Sequence, residues 1–289
     1  MLECPVCSNK SFTELVSCSD YTTSHETFHV KRCTNCGLGV TSPRPDLGSS
    51  TSYYKSDQYI SHTSTSRSLV DSIYLIIRRF TTRWKYRLIK PYLRQHGLLD
   101  YGCGTGTFLA RVNKHGHAVA GIEPSPDARS QVQPDIPTAS SLAQLPHTQF
   151  DAITLWHVLE HVYSPLETIR QLSALLTEHG TLFIAVPNRE SHDASHYQEY
   201  WAAYDVPRHL WHFTPSSMAT FLQREGLQIQ EIIPMKLDAY YVSLLSERYR
   251  KGSLGLAGMI NATWIGLRSN WKARMDNRYS SLIFLVTRK

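Results

Sequence analysis

The stretch Leu99-Asp100-Tyr101-Gly102-Cys103-Gly104-Thr105-Gly106 constrains this chain more than any other. Three glycines at alternate positions follow a short apolar run and precede a helical one. Glycine takes left-handed dihedrals and lets main chain approach a ligand closely, so the pattern reads as strand, ligand-facing turn and helix. A dinucleotide turn needs G-x-G-x-x-G. Here the third glycine comes one residue early, and Thr107 occupies its expected position. The acid Glu123 ends the next strand, 21 residues after Gly102. A carboxylate there can take both ribose hydroxyls of a bound nucleoside.

From Gly97 onward strand and helix signals alternate, as a doubly wound α/β plan requires. Strands are expected at Leu98–Tyr101, Ala118–Glu123, Phe150–Leu155, Thr181–Val186, Gln228–Ile233 and Ser281–Thr287. Helices are expected at Thr107–Lys114, after Ser125-Pro126-Asp127, from the capping-box pattern Ser164-Pro165-Leu166-Glu167 to Gly180, and from Thr214-Pro215 to Gly226. Residues 236–279 interrupt the last two strands and read as a helical insertion, either a lid or an oligomer surface. An interfacial membrane role is the weaker reading of that segment.

Four of six cysteines form two pairs, Cys4-Pro5-Val6-Cys7 and Cys33-Thr34-Asn35-Cys36. Two knuckles of this kind can present four thiolates to one tetrahedral zinc. Tyr21 to Arg32 reads as strand between them, so residues 1–45 read as a zinc ribbon. So short a segment buries little core, and a metal would supply its folding energy. A redox pair fits less well, because neither pair opens a helix in a βαβ setting. Cys18 is left over as packing.

With 42% hydrophobic and 19% charged residues the chain is of globular composition. Its longest uncharged apolar run, Ser253 to Leu267, is too short to cross a bilayer, and MLECPVCSNK lacks a secretory pattern, so a cytoplasmic location is expected. The net charge of +6 is uneven: zero over residues 1–45, +6 over 46–96, −7 over 97–235 and +7 over 236–289. An acidic middle argues against a nucleic-acid binder, while the basic flanks suit an acceptor that carries phosphate or is carrier-bound. Residues 46–96 read as a linker, Thr41 to Ser68, and a basic amphipathic helix, Leu69 to Lys90. A packing helix with a solvated basic face is preferred there over a dock for an anionic partner.

The segments LLDYGCGTGTFL, VAGIEPSP, FDAITLWHVLEHV and GTLFIAVPN stand in order. Together they resemble the class I S-adenosylmethionine-dependent methyltransferases over roughly Gly97 to Pro234 and the last strand. CPVC, CTNCGLGVTSPRP and DVPRHLWHFTP further resemble a bacterial subgroup with an amino-terminal zinc ribbon, similar to methyltransferase type 23. The resemblance implies a Rossmann-like seven-stranded sheet with helices on both faces, spanning residues 97–289. It implies S-adenosylmethionine as cofactor, with zinc structural at Cys4, Cys7, Cys33 and Cys36. By the same resemblance Asp100, Gly102 and Gly104 line the methionyl part, and Glu123 holds the ribose. Ser141 and Leu142 frame the adenine, and Tyr101, Cys103, Pro124 and His157 complete the donor contacts. An acid often meets the adenine amino group in this family, and none lies near Ser141 here.

The activated donor leaves the protein mainly alignment to supply, but a hydroxyl acceptor must also lose its proton. His157, Glu160 and His161 follow the fourth strand at spacings that share a helical face. In the ubiquinone-pathway O-methyltransferases that HVLEHV resembles, a similarly placed acidic/His cluster binds a divalent metal. Here the first position is His157 rather than an acid. Glu160 and His161 either brace the loop or act on the acceptor. His209, in Pro207-Arg208-His209-Leu210-Trp211-His212-Phe213, is the first choice for a base. Tyr197, Tyr200, Trp201 and Tyr204 are candidates for an acceptor wall, or ordinary packing. The expected function is methylation of a small-molecule hydroxyl, on a sugar or secondary metabolite. An RNA methyltransferase, or a catalytically silent binding module in a biosynthetic complex, are the alternatives.

Overall fold

The computed structural model describes residues 3–54, 80–145 and 149–289. The expected linker and basic helix fall partly outside these; residues 80–89 are described and helical. The main sheet has seven strands: β4 (Leu98–Tyr101), β5 (Val119–Ile122), β6 (Thr138–Ala139), β7 (Phe150–Trp156), β8 (Leu176–Pro187), β10 (Leu227–Pro234) and β11 (Ser281–Arg288). Their order is β10-β11-β8-β7-β4-β5-β6. β4 pairs in parallel with both β5 and β7, and β11 runs antiparallel to β8 and β10. The chain leaves β4 toward β5 on one side and later returns to β7 on the other. The strand order therefore reverses at β4, which opens a crevice at the carboxyl ends of β4 and β7.

Both faces of this sheet are covered. Along β8, Leu182, Ile184 and Val186 join one apolar cluster while Phe183 and Ala185 join the other. That period-two split is the pleat of a strand buried on both sides. Helix α1 (Thr107–Lys114) lies on one of these clusters through Phe108, Leu109 and Val112. Helices α2 (Pro165–Ala174) and α4 (Pro215–Arg224) bury Ile169, Leu172, Met218 and Phe221 in the other.

Two local expectations need correction. The helix opened at Pro165 stops at Ala174, not Gly180, and Ser164 makes no capping bond. Gly180 instead lies within β8, where a Cβ would stand 3.0 Å from the Phe150 carbonyl oxygen. The glycine there answers a close strand approach rather than a helix end. The expected strand from Tyr21 to Arg32 is also divided. β1 (Phe12–Ser19) and β2 (Thr27–Cys33) form a hairpin, and Tyr21 to Ser24 is its turn. Asp20 holds that turn by accepting from the N–H groups of Thr22, Thr23 and Ser24. By contrast, Thr214 caps α4 with a full capping box to Ser217.

The ribbon is tied into the main domain. β1, β2 and β3 (Gly39–Ser42) are completed by a fourth strand, β9 (Trp211–His212), contributed from 170 residues downstream. Cys4, Val6, Cys33, Leu38 and Val40 share one buried cluster with Leu99, Phe213 and Phe221. Between β8 and β9, the short helix α3 (His192–Tyr197) leads to two tight turns. Residues 236–279 hold two helices, α5 (Asp238–Lys251) and α6 (Leu256–Asp276), packed on each other.

Candidate functional site

The turn after β4 has left-handed dihedrals at Gly102 (φ 78°), Gly104 (φ 56°) and Gly106 (φ 72°). A Cβ on Gly104 would meet nothing within 4 Å, so the turn faces open space on its ligand side. A Cβ on Gly102 would come 2.5 Å from Val158. That glycine is needed where the β7 loop crosses the turn. Glu123, buried at the end of β5, accepts from the Gly104 N–H at 2.9 Å and the Ser125 N–H at 2.8 Å. Asp100 is also buried; Thr154 Oγ1 donates to it at 2.7 Å. Burial pushes the Asp100 carboxyl up, against the Thr154 bond and the nearby Lys85 charge, to about 6.

The other predicted donor residues take different places. Tyr101 is half-buried and Cys103 is buried, its sulfur 2.7 Å from where a Cβ on Gly121 would stand. Pro124 carries the chain from Glu123 into the Ser125-capped turn, and its carbonyl accepts from Arg129. Ser141 and Leu142 open a short 3-10 turn beyond β6 and remain accessible. Lys85 was visible in the sequence only as one of several basic helix residues. Its Nζ lies 4.4 Å from the Trp156 ring centroid. Burial brings it down to about 8, although Asp238 and Asp100 oppose this.

His157 follows β7 with φ 59°, an uncommon conformation for a non-glycine residue. Its Nδ1 is 3.3 Å from Glu160 Oε1 and its Nε2 is 3.1 Å from Asp238 Oδ2. Burial pulls this imidazole down, but the hydrogen bonds and charges of Asp238 and Glu160 prevail and raise it to about 9. Asp238 opens α5 and had no local signal in the sequence. Its role depends on an insertion folding back over the β7 loop.

Glu160, His161 and His209 converge, with one ligand atom of each within 4.8 Å of the others. Glu160 is buried; its Oε2 has no hydrogen-bond partner among the described residues. Burial raises the Glu160 carboxyl, but the His157 bond and three neighbouring imidazoles hold it below the ordinary carboxylate value. His161 Nδ1 donates to the Arg208 carbonyl at 3.0 Å, and His209 Nδ1 donates to the Ala203 carbonyl at 2.9 Å. Both rings therefore keep their lone pair on Nε2 when neutral. His209 Nε2 lies 4.0 Å from Glu160 Oε1 and 3.9 Å from Asp205 Oδ2. Burial and the neighbouring His209 hold His161 down at about 4, so it is neutral at neutral pH.

The ribbon fixes the segment that carries His209. Thr41 Oγ1 donates to the His209 carbonyl at 2.6 Å. Arg208 bridges Asp20 of the ribbon hairpin (2.9 Å) and Asp205 (2.7 Å), with Arg208 and Asp20 almost fully buried. The Leu210 N–H donates to the Glu160 carbonyl at 2.8 Å, which joins the two His-bearing loops. Thr41, Asp205 and Arg208 lie in the segments CTNCGLGVTSPRP and DVPRHLWHFTP, but nothing local shows that those segments bond to each other. The aromatic residues Tyr197, Trp201 and Tyr204 are buried with Phe28, Val30 and Val242, and Tyr200 packs against them. They support the loop as core.

The four knuckle cysteines also converge. Cys4 and Cys36 sulfurs are 3.5 Å apart, as are those of Cys7 and Cys33. Four sulfurs about 2.3 Å from one tetrahedral zinc stand roughly 3.8 Å from each other. Backbone N–H groups of Val6 and Cys7 point to the Cys4 sulfur, and those of Asn35 and Cys36 to the Cys33 sulfur. The donor set is consistent with a structural zinc.

A family model described as a methyltransferase domain matches residues 77–232. The ubiquinone biosynthesis O-methyltransferase of Xanthomonas campestris pv. campestris (strain B100) is 32% identical over 161 residues, 50% of this chain and 67% of that protein. The protein of the same name from Xanthomonas axonopodis pv. citri is 30% identical with the same coverage. Among solved structures, magnesium protoporphyrin IX methyltransferase from Synechocystis PCC 6803, with bound SAH, is similar at a TM-score of 0.52 and 14% identity. That match covers 79% of this chain and 91% of the other, and it is a likeness of fold.

Proposed function

Because the chain belongs to the methyltransferase-domain family and is an S-adenosylmethionine-dependent methyltransferase, we propose that it methylates a hydroxyl of a small-molecule acceptor, on a sugar or a secondary metabolite, with His209 as base. The observation that carries this reading is the meeting of His209 Nε2 with two carboxylates, 3.9 and 4.0 Å away, beside Glu160 Oε2, which has no hydrogen-bond partner among the described residues. A neutral imidazole takes the hydroxyl proton on Nε2 while Ala203 holds its Nδ1–H. Glu160 and Asp205 then stabilise the imidazolium. His157, already paired with Asp238 and Glu160, closes the loop over the turn after β4. Relatives named O-methyltransferases support oxygen as the acceptor atom.

On the donor side, Gly104 gives the main chain its close approach and Glu123 offers its carboxylate to the ribose hydroxyls. Asp100, Tyr101, Gly102, Cys103, Pro124, Ser141, Leu142 and His157 surround the remainder. S-adenosylmethionine supplies a methyl group already activated on sulfonium. The ribbon, residues 1–45, works as a clamp on the Arg208–His209 segment. The basic flanks favour an acceptor that bears phosphate or is carrier-bound, whose affinity falls as salt rises.

A second reading rests on the convergence of Glu160, His161 and His209, which could together hold a divalent cation that polarises the acceptor hydroxyl. One experiment separates these. The protein is incubated with methyl-labelled donor and pooled sugars, phenols and RNA, with and without added Mg2+ or Mn2+. The base reading expects label on a sugar or phenol oxygen without added metal, and turnover about 100-fold lower in His209→Gln. Activity that requires added metal favours the second reading. Label in RNA alone contradicts the small-molecule assignment.

A further inference from the structure

Helix α6 has its polarity inverted. Its inner face is mostly small: Gly258, Ala262, Gly266, Ser269 and Ala273 are buried, and Ile265 is the one large apolar residue buried with them. A Cβ on Gly266 would come 2.8 Å from the Tyr240 ring of α5, so the two helices approach as closely as main chain allows. Ser269 Oγ donates to the buried Asp193 at 2.8 Å. These contacts fix the rotation of the helix.

Apart from Ile265, most of the large apolar residues consequently face outward. Leu256 is 75% exposed, Ile260 63%, Trp264 60%, Leu267 50%, Trp271 65% and Met275 90%. At 3.6 residues per turn all six fall within an arc of about 100°. A continuous stripe of this kind marks a contact surface, because isolated apolar side chains do not align by chance over five turns.

Charge selects the occupant. Arg250 and Lys251 of α5 are paired with Glu247, but from Arg268 to Arg278 the sequence has four Lys/Arg and a single acid, Asp276. Arg268 and Lys272 border the stripe and Arg274 lies within its arc. A second copy would bring two such basic faces together, and like charges oppose that pairing. Two tryptophans on an apolar face bordered by Lys/Arg suit the headgroup boundary of a bilayer. No helix among the described residues is long and apolar enough to cross a membrane. We propose that α6 docks the protein on an anionic lipid bilayer, lying in the plane of its surface with the Leu256–Met275 stripe inserted at the headgroup boundary.

Flotation of the full chain tests this with vesicles of phosphatidylcholine alone and of phosphatidylcholine with phosphatidylglycerol. Sedimentation equilibrium on the same samples reports oligomeric state. Binding is expected to vesicles that contain phosphatidylglycerol, and to weaken as salt rises. Trp264→Ser with Trp271→Ser should lower partitioning by about tenfold or more, and Arg268→Glu with Lys272→Glu by a similar factor. S-adenosylmethionine affinity should be unchanged in both, which shows that the variants are folded. Absence of binding to anionic vesicles overturns the proposal, as does unchanged partitioning of the tryptophan variant. A dimer that the tryptophan substitutions dissociate, with no vesicle binding, assigns the stripe to a second copy instead.

Discussion

Around the Gly102–Gly106 turn the groups proposed to meet the donor are main chain and two carboxylates, Asp100 and Glu123, close together in sequence. Around Glu160 the cluster is built and held by side chains from four separate places: the β7 loop, the Asp205–His209 turn, the ribbon and the start of α5. The first region is positioned by strands β4 and β5, whose parallel pairing sets Asp100 opposite Gly121, with Glu123 following β5 and donating its N–H to the Ala139 carbonyl. The second is positioned by long-range bonds, above all Thr41 to the His209 carbonyl and Asp20 to Arg208. A site half made of sheet edge should tolerate loss of a distant anchor; a site half made of clamped loops should not.

The largest effect is expected from the zinc knuckles. Cys33→Ala with Cys36→Ala should abolish stoichiometric zinc in elemental analysis. It should also lower stability by more than about 5 kcal/mol, because metal binding is the folding energy of so small a unit. With the ribbon loosened, β9 loses its partner β3, and the acceptor half should suffer first. A variant that still melts at the wild-type temperature breaks the comparison.

Arg208→Ala is expected to cost about 3–5 kcal/mol, since it leaves Asp20 buried without its counter-charge. Burial opposes ionisation of Asp20, yet the Arg208 bond and three turn N–H groups bring it down to about 2. That contribution is present above the unfolded value of 3.8 and is lost as pH falls through about 2. Chemical denaturation at neutral pH checks the size, and a loss below about 1 kcal/mol would mean that the bridge is not the anchor.

A smaller effect concerns His157. Its pKa is raised from 6.5 to about 9, so its ion pairs contribute stability that is complete below 6.5 and lost as pH rises toward 9. Asp238→Asn removes one of the two carboxylates and should move the imidazole titration, followed by NMR, toward lower pH. A titration that stays in place would remove α5 from the account of the site.

The same contrast explains what was legible in the sequence. Glycine spacing, Glu123 at a strand end and the Ser125 cap are short-range signals, and they mark β4, β5 and their turns closely. Two pairs of cysteines carry the ribbon in the same way. The segment that follows β7 was found, but its partners were not. Thr41 and Asp205 stand in the CTNCGLGVTSPRP and DVPRHLWHFTP segments without any mark of what they bond to, Asp20 and Asp238 carry no local signal, and all four join the cluster only when β9 meets the ribbon and α5 folds back. Gly180 shows the converse failure, a helix-stop signal used inside a strand for close packing.

The most direct measurement is calorimetry of S-adenosylhomocysteine binding to three proteins: wild type, Glu123→Ala and His209→Gln. The account expects Glu123→Ala to lose at least about tenfold in affinity, as the removal of a charged hydrogen-bond acceptor implies. It expects His209→Gln to bind within about twofold of wild type, because the clamped loop does not build the donor half. Equal losses in both variants would contradict the division of the site into a sheet-built donor edge and a clamped acceptor edge.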